Sequence, residues 1–358
     1  MLMITMLDLV QLGDLLILDK NNSDRVTTSV ALATFNGERY LEDQLMSILK
    51  QSVQPDEVII CDDKSSDGTY ELLESIQAYT NVTIRIIRNN KNVGLVENFQ
   101  QAIDLCSGKY IFLSDQDDLW VPNKIEAVVD VFEARKNIDY VISNAKIIDH
   151  AGVVIHDDLW RFNGTSGQFE EFQKGSQSGA LLSGSNMVYG NCLAFKGSLK
   201  RKFIPITSRS ASITHDMWIA LVLSLSGYRG LAIDFPLVHY RQHIKQVIGA
   251  GLSNSRLDLF YQKLFVYYPI DPSYIKALSS IVSKVESCAD KGEIDENGLI
   301  LLKRKILYFE NRLVIQNSKF FKRLLMVCAE LISGRYRIFG SSFFSAVKDL
   351  FNFNRKNS

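Results

Sequence analysis

The chain has 358 residues, of which 46% are hydrophobic and 22% are charged, so it is long enough for one large globular domain or two. Its 40 basic and 40 acidic residues cancel, which argues against a protein that binds nucleic acid. The five cysteines are scattered and form no Cys-x-x-Cys motif, which indicates a reducing compartment and thiols that are mostly buried.

The first residues are apolar but are interrupted by Asp8 and Asp14, and they carry neither a basic leader nor a small-residue cleavage motif. This pattern favours neither a signal peptide nor a membrane span. We therefore expect an N-terminal extension over residues 1–25, and we expect the fold to begin at Val26.

From Val26 onward, apolar runs alternate with segments of helical periodicity. We expect crossover helices between the runs, among them Tyr40–Gln51 and Leu95–Leu105. The strict alternation of predicted strands and helices indicates an α/β domain with a mostly parallel sheet flanked by helices. The runs that predict buried strands are Thr28–Thr34, Val58–Cys61, Val82–Ile87 and Tyr110–Leu113.

Polar clusters follow three of these strands, where ligands bind in open α/β sheets. The chain has no Gly-x-Gly-x-x-Gly and no Gly-Lys-Ser/Thr loop, so a nucleotide would be held by side-chain acceptors and a metal. Asp62 and Asp63, after the second strand, offer acceptors for a base N–H or for ribose hydroxyls. The alternative for that segment is a helix N-cap.

Three carboxylates, Asp115, Asp117 and Asp118, follow the fourth strand within four residues. Like charges at such spacing raise one another's pKa and are best explained by a divalent cation with oxygen ligands. Asp115 and Asp117 form an Asp-x-Asp whose side chains point the same way in an extended chain. Mg²⁺ prefers a few carboxylates plus substrate phosphates, so we expect a phosphorylated ligand. The alternative is an acidic turn that caps the helix starting near Pro122.

Four motifs together resemble the nucleotide-sugar domain of family 2 glycosyltransferases: Thr34-Phe35-Asn36, Asp62 to Thr69, Asn92-Val93-Gly94 and Ser114 to Trp120. The order matches over residues 26–243, and the Asp-Gln-Asp-Asp-x-Trp segment most resembles bacterial rhamnosyltransferase-like members. The resemblance implies a GT-A fold over residues 26–250 and an inverting transfer from a nucleoside-diphosphate sugar without a covalent intermediate.

The resemblance also implies roles for single residues. Mg²⁺ or Mn²⁺ would be held by Asp117, Asp115 and His243. The nucleotide sugar would be contacted by Thr34, Asn36, Glu38, Asp63, Asn92, Gly94, Asp115, Gln116 and Arg241.

The second half of the chain is then expected to supply the acceptor site and the base. Asp216, at the start of the helix Trp218–Leu225, is assigned by resemblance as the base that an inverting displacement needs. The alternative for Asp216 is a helix cap. Asn191 and Trp218 are assigned to the acceptor, with a simple loop-to-strand junction as the alternative for Asn191. The polar, glycine-rich stretch Arg161–Gly184 is predicted to be a long loop.

Tyr240-Arg241-Gln242-His243 closes the domain. In the resembling family this segment returns to the nucleotide, so His243 would contact the metal or diphosphate and Arg241 would offset negative charge. The family usually continues with Gly-Asn-Asn, whereas this chain reads Ile244 to Gly249, in which Lys245 could supply charge instead. The alternative for His243 is an exposed loop histidine.

Residues 251–358 are predicted to form a helical, basic region. Between Leu301 and Ser358, twelve basic residues oppose three acidic ones and interleave with phenylalanines. Such helices indicate a membrane-surface element, with packing on the domain as the alternative. No segment reaches the ~20 apolar residues of a span, so we expect peripheral association at most. The predicted helices are Ser255–Tyr267, Pro272–Cys288, Leu299–Asn317, Lys319–Ser333 and Ser342–Phe353.

We therefore predict a metal-dependent, inverting glycosyltransferase that is cytoplasmic, with at most peripheral association at the inner face of the cell membrane. The expected partners are dTDP-rhamnose, or next a UDP-hexose, and a lipid-linked saccharide that is extended toward a surface polysaccharide such as O-antigen or capsule. Two alternatives remain open at this point: a nucleotidyltransferase of similar topology, which would release pyrophosphate, and a non-catalytic protein that binds nucleotide sugars.

Overall fold

The computed structural model describes residues 26–243, 270–288, 294–340 and 343–351. Sequence predictions that lie outside the described residues include the extension over residues 1–25, the helix Ser255–Tyr267 and the role of Lys245.

The described residues form nine β-strands in one sheet. Its order is β3-β2-β1-β4-β8-β6-β9-β5, and β7 pairs with β6. The strands are β1 (Thr28–Thr34), β2 (Glu57–Asp62), β3 (Thr83–Arg88), β4 (Tyr110–Ser114), β5 (Leu119–Trp120), β6 (Tyr140–Ile148), β7 (Val154–His156), β8 (Leu193–Lys196) and β9 (Gly230–Arg241).

The first half of the sheet is parallel, as predicted. Strands β3, β2, β1 and β4 pair in parallel, and every residue of β1 and β4 is buried because helices cover both faces. The second half is mixed. Strand β8 runs antiparallel to both β4 and β6, whereas β9 runs parallel to β6. Cys61, Cys106 and Cys192 are free thiols buried in this domain.

Fourteen α-helices are present among the described residues. The predicted helix Leu95–Leu105 has those bounds in the structure. The helices are α1 (Leu41–Leu49), α2 (Thr69–Tyr79), α3 (Leu95–Leu105), α4 (Lys124–Ala134), α5 (Leu159–Phe162), α6 (Ser166–Gln173), α7 (Gln177–Leu182), α8 (Lys200–Phe203), α9 (His215–Leu225), α10 (Pro272–Ser287), α11 (Glu296–Gln316), α12 (Phe320–Ile332), α13 (Arg335–Phe339) and α14 (Phe343–Phe351).

The predicted long loop over Arg161–Gly184 is wrong, because the segment contains α6 and α7. Phe172 is buried and meets the ring of Tyr140 edge-on, with the centroids 6.1 Å apart. Gln168 Nε2 donates to the carbonyl of Ala180 at 2.7 Å and ties the two helices together. Each helix is too short, and has too few apolar residues, to produce the helical periodicity on which the prediction relied.

The helices after residue 270 pack in two groups. Leu278, Ile281 and Val285 of α10, with Leu302 of α11, belong to the same apolar core as the sheet. The distal part of α11 and the helices after it form a second, smaller cluster around Tyr308. The predicted boundary at residue 250 falls outside the described residues and stays a prediction. Within the described ranges, no helix is both long and apolar enough to cross a membrane.

Candidate active site

A cleft of about 360 Å³ opens beyond the carboxyl ends of β1, β2 and β4. The parallel strands bring their polar ends to one edge of the sheet, and the N-terminus of α9 adds Asp216 to the same cavity. Eight of the residues predicted from the sequence line it: Thr34, Asp63, Asn92, Gly94, Asp115, Gln116, Asp117 and Asp216.

Asp63 organises one wall of the cleft. Its carboxylate accepts hydrogen bonds from the backbone N–H groups of Val93 at 2.7 Å and Gly94 at 2.8 Å, and from Asn89 Nδ2 at 3.0 Å. Gly94 has φ +93°, a left-handed conformation that favours glycine. Asp63 therefore fixes the loop that carries Asn92 to the cleft.

Gln116 joins the ends of β4 and β1. Its Oε1 accepts from Thr34 Oγ1 at 2.7 Å and from the N–H of Phe35 at 2.8 Å, while its Nε2 donates to the carbonyl of Phe35 at 3.2 Å. A Cβ on Gly37 would lie 2.5 Å from Gln116 Oε1, so this close approach requires glycine. The result is an exposed Phe35 ring held at the cleft.

Asn36 and Glu38 are not among the residues that line the cleft. Asn36 Oδ1 accepts from the N–H of Ser66 at 2.8 Å, and Glu38 Oε2 accepts from the N–H of Gly68 at 3.0 Å. Both side chains therefore brace the loop after β2, and their predicted contact with the nucleotide sugar stays a prediction.

The predicted metal ligands Asp117 and His243 are adjacent, although they are 126 residues apart in the chain. His243 Nε2 lies 2.7 Å from Asp117 Oδ2. Arg241 Nε donates to the backbone carbonyl of Asp117 at 2.8 Å, and its guanidinium lies 4.7 Å from the ring centroid of Tyr40. Arg241 is buried, so it holds the Asp117 segment from behind rather than facing the cleft.

The three carboxylates of the Asp-Gln-Asp-Asp segment have different environments. Burial, and then the charges of Asp117 and Asp216, raises the pKa of Asp115 above its usual range. Asp118 points into the interior, where it accepts from the N–H of Arg241 at 2.7 Å and from Asn191 Nδ2. Asp118 therefore links β4, β9 and the turn before β8, and it is not part of the cleft wall.

Lys124 is a buried cation behind these carboxylates. Its Nζ lies 3.6 Å from the ring centroid of Trp120 and donates to the carbonyl of Asn191. Burial lowers the pKa of Lys124 to about 7, against the opposing effect of the neighbouring acidic groups. The burial of Lys124 could not be predicted from the sequence, because a lysine in a helix normally indicates an exposed position.

The donors at Asp117 fit a divalent cation that is bound together with a diphosphate. Among the described residues, no group of three His, Cys, Asp or Glu side chains forms a ready-made metal site. Asp117 Oδ2 and His243 Nε2 nevertheless offer an oxygen and an imidazole nitrogen side by side. Mg²⁺ usually takes most of its remaining ligands from water and substrate phosphates.

Asp216 lies in the first turn of α9. Its Oδ1 accepts from Thr214 Oγ1 and from the N–H of Met217 at 2.8 Å. Its Oδ2 accepts no hydrogen bond from the described residues, and the residue lines the cleft. One oxygen is thus anchored while the other is available to take a proton from a ligand.

His215 is buried beside Asp216 and stacks on Phe99, with the ring centroids 3.7 Å apart. Burial lowers its pKa, so the imidazole is neutral at pH 7. A Cβ on Gly190 would lie 2.8 Å from His215 Nε2 and 3.1 Å from Asp115 Oδ2. Gly190 is therefore needed for close packing between the Asp115 segment and α9.

We expect Gly190→Ala to destabilise the protein by about 1–3 kcal/mol, because the added methyl group overpacks the space between His215 and Asp115. Gly167→Ala is the matched control, since a Cβ there meets nothing within 4 Å. Residue 167 is in α6, so alanine should be neutral or stabilising by up to about 1 kcal/mol. Urea denaturation of both variants measures the difference, and equal stabilities would contradict this packing.

Two predicted acceptor residues are buried away from the cleft. Trp218 Nε1 donates to the carbonyl of Phe203 at 2.9 Å, and Asn191 Nδ2 donates to Asp118. Each has a packing role in the structure, and their contact with an acceptor stays a prediction. The lining residues to which the sequence analysis gave no role are Ala33, Phe35, Leu95, Asn98, Asn186, Tyr189, Gly190, Thr214, His215 and Tyr240.

Asn186 and Tyr189 could have been found from the sequence. Both lie shortly before Asn191, which resemblance assigned to the acceptor, and Tyr189 is an aromatic residue directly before a glycine. Asn98 carried no such signal, because it lies within a helix and its amide donates to the carbonyls of Cys61 at 2.8 Å and Thr34 at 3.3 Å.

A family model described as "Glycosyl transferase family 2" matches residues 29–191. A segment of 132 residues is 29% identical to UDP-Glc:alpha-D-GlcNAc-diphosphoundecaprenol beta-1,3-glucosyltransferase WfgD of Escherichia coli, covering 37% of this chain and 50% of that protein. A segment of 234 residues is 29% identical to dTDP-rhamnosyl transferase RfbG of Shigella flexneri, and the match covers 62% of this chain and 75% of that protein. The chain spans about half the length of the first curated relatives that it matches.

The crystal structure of S. aureus TarS 1-349 in complex with UDP-GlcNAc is similar, with a TM-score of 0.53 and 16% sequence identity. The likeness covers 80% of this chain and 72% of that one. It concerns the fold, and it confirms the predicted GT-A architecture, a central sheet flanked by helices.

Proposed function

We propose that the protein transfers a sugar from a nucleoside diphosphate to an acceptor hydroxyl with inversion. The match of residues 29–191 to the glycosyl transferase family 2 model supports this reaction class. One observation carries the proposal: Asp216, whose Oδ2 accepts no hydrogen bond from the described residues, lines the same cleft as Asp117, which contacts His243. The charges of both Asp117 and Asp216 raise the pKa of Asp115. A single displacement needs a base for the attacking hydroxyl and support for the departing diphosphate.

In this mechanism the acceptor oxygen forms a bond to the anomeric carbon while the bond from that carbon to the diphosphate oxygen breaks. The electron pair of the broken bond leaves with the nucleoside diphosphate, and the hydroxyl proton moves to Asp216 Oδ2. A divalent ion held by Asp117 and His243 would neutralise charge on the diphosphate. Arg241 acts as a positioning residue, because it donates to the backbone carbonyl of Asp117.

The nucleoside would occupy the wall formed by Thr34, Phe35, Asp63 and Asn92. The exposed ring of Phe35 offers a stacking surface for a base. The Asp63 carboxylate already accepts three hydrogen bonds from the loop that it holds. A carboxylate has about four acceptor sites, so few are left for donor groups of the ligand.

The donor we favour is dTDP-rhamnose, because RfbG, whose name specifies a dTDP-rhamnosyl transferase, matches 62% of this chain. A UDP-hexose is second, because WfgD is named for UDP-Glc and its match covers 37%. The WfgD name also specifies an acceptor on diphosphoundecaprenol. By analogy, we take the acceptor here to be a lipid-linked saccharide in surface polysaccharide synthesis.

Calorimetric titration with dTDP, UDP and GDP, each with and without Mn²⁺, tests the donor. Binding of dTDP in preference to the other two, and strengthened by Mn²⁺, is the expected result. Binding of none of the three nucleotides would overturn the proposed function, and preference for UDP would replace the donor while leaving the reaction class intact.

An exposed apolar stripe on α12 supports peripheral membrane association. Phe321 is 79% exposed, Leu325 is 72% exposed and Ile332 is 88% exposed, and their spacing puts them on one side of the helix. The exposed cations Lys319 and Lys322 lie at the start of the same helix. Apolar side chains flanked by cations suit a surface of anionic lipid, where a lipid-linked acceptor would also be found.

We expect the triple variant Phe321→Ser, Leu325→Ser, Ile332→Ser to lose at least about tenfold in partitioning to phosphatidylglycerol vesicles. Insertion of the three wild-type side chains into lipid would contribute several kcal/mol to binding, roughly 1.5–3 kcal/mol for each. Tyr79→Ser is the matched control, since Tyr79 is 90% exposed on α2. Vesicle co-sedimentation measures the partitioning. Unchanged binding of the triple variant, or no vesicle binding by the wild type, would contradict membrane contact through this stripe.

A further inference from the structure

A second cavity of about 560 Å³ lies between the sheet domain and the helices α10 and α11. It shares Asn186 and Thr214 with the active-site cleft, and Thr214 donates to the carboxylate of Asp216. The cavity therefore adjoins the proposed base. Much of its wall is apolar and includes Leu182, Ile213, Met217, Leu221, Tyr274, Leu278 and Phe309.

Lys305 of α11 is part of this wall and is only 8% exposed. Its Nζ donates to the carbonyl of Leu182 at 2.7 Å, which uses one of the three N–H donors of an ammonium group. No carboxylate among the described residues pairs with it. A buried cation without a counter-ion is costly, so this site favours an anionic ligand.

The other charged groups of the wall are already engaged. Arg312 forms two hydrogen bonds to Asp349, at 2.5 and 2.8 Å. Asp271 caps α10 through the backbone N–H and the hydroxyl of Ser273. Among the described residues, Lys305 is thus the cation in this wall whose charge no carboxylate balances.

A purely structural role for Lys305 accounts for only part of this arrangement. Leu182 is the last residue of α7, and a cation at a helix C-terminus is favourable. That role needs one donor, and it explains neither the adjoining cavity nor the connection to the cleft that contains Asp216.

We infer that this second cavity binds the diphosphate of a polyprenyl-diphosphate-linked acceptor, with Lys305 pairing to the phosphate and the apolar wall receiving the first isoprene units. The attached saccharide would extend past Asn186 and Thr214 to Asp216. The inference rests on the proposed function and deepens it by assigning the anionic group of the acceptor to a site.

Farnesyl diphosphate is the probe, titrated into protein that is saturated with Mn²⁺ and the nucleoside diphosphate found to bind. We expect Lys305→Gln to weaken binding by about 10–100-fold, the range of a lost charge-assisted hydrogen bond. Lys303→Gln is the matched control, because Lys303 is 54% exposed on the same helix and pairs with Glu286 at 2.9 Å. Farnesol, which lacks the charge, should bind all three proteins alike.

Binding of farnesyl diphosphate to Lys305→Gln within about twofold of the wild type would overturn the inference. Displacement of the probe by excess nucleoside diphosphate would also overturn it, because the probe would then occupy the donor cleft. If the wild type binds nucleotide but Lys305→Gln leaves the affinity for farnesyl diphosphate unchanged, the assignment of the acceptor site fails and the proposed function stands. If the wild type binds no nucleotide, the proposed function itself fails.

A measurement on the wild type covers the case in which Lys305→Gln does not fold. Acetylation by acetic anhydride, followed by mass spectrometry of the peptides, reports how fast each lysine is modified. Burial lowers the pKa of Lys305 to about 8, which favours its reaction. Farnesyl diphosphate should slow acetylation of Lys305 and leave that of Lys303 unchanged, whereas equal rates with and without the probe would contradict the inference.

Discussion

Asp216→Asn is expected to lower turnover by about 10²–10⁴-fold, the range for loss of a general base. Asparagine matches aspartate in shape, and its oxygen can still accept from Thr214 Oγ1 and from the N–H of Met217. The start of α9 should therefore be preserved, and nucleotide affinity should stay within about twofold of the wild type. Steady-state kinetics and nucleotide titration on the same preparation measure the two effects separately.

Asp157→Asn is the control for this variant, because Asp157 is an exposed carboxylate that pairs with the surface residue Lys146 at 2.8 Å. It should turn over like the wild type. Wild-type turnover by Asp216→Asn would mean that the proton goes elsewhere. A combined loss of turnover and of nucleotide binding would make Asp216 a structural residue of α9.

Asp117→Ala is expected to abolish the Mn²⁺-dependent part of nucleotide binding, a loss of at least about tenfold in affinity. The substitution removes the carboxylate beside His243 but keeps the backbone carbonyl that Arg241 contacts. The contact between Arg241 of β9 and the backbone of residue 117 should therefore be preserved in the variant. Titration of dTDP with and without Mn²⁺ measures the metal-dependent increment.

The same titration on Asp157→Asn gives the control, which should bind nucleotide like the wild type in both conditions. Metal-dependent binding that persists in Asp117→Ala would remove Asp117 from the metal site. Binding that is indifferent to metal in the wild type would leave the Asp117–His243 pair with a structural role.

The parallel half of the sheet could be predicted because strands buried on both faces have continuous apolar sequences. Tyr110–Leu113 is an example, and the structure extends it by one residue to Ser114. The second half could not be predicted in this way. Strand β8 has four residues, and β9 pairs in parallel with β6 across a long stretch of chain that includes short helices. The sequence between those strands has no long periodic pattern.

The cleft was predictable to the extent that topology determines it. Polar residues directly after β1, β2 and β4 converge because the carboxyl ends of parallel strands meet at one edge. The sequence could not separate residues that face the cleft from neighbours that brace it. Asp118 turns inward to Arg241 and Asn191, and Asn36 turns to the loop after β2, because hydrogen-bond partners far along the chain decide these orientations.

The contact between Asp117 and His243 was expected only from the resemblance to a family. Nothing in composition or spacing relates two residues that are 126 positions apart. The burial of Lys124 and Lys305 could not be predicted for a related reason. Lysines in helices are ordinarily exposed, and only the packed structure reveals which ones are buried.

The most direct measurement is mass spectrometry of a reaction that contains the protein, Mn²⁺, dTDP-rhamnose and a short-chain prenyl-diphosphate-linked saccharide. The acceptor is expected to gain the mass of a single rhamnosyl residue while dTDP appears in equal amount. Release of pyrophosphate in a parallel reaction with dTTP and a sugar 1-phosphate would instead indicate a nucleotidyltransferase. An acceptor that stays unchanged in this reaction, and in parallel reactions with UDP-glucose and other nucleotide sugars, would contradict the assignment of a glycosyltransferase.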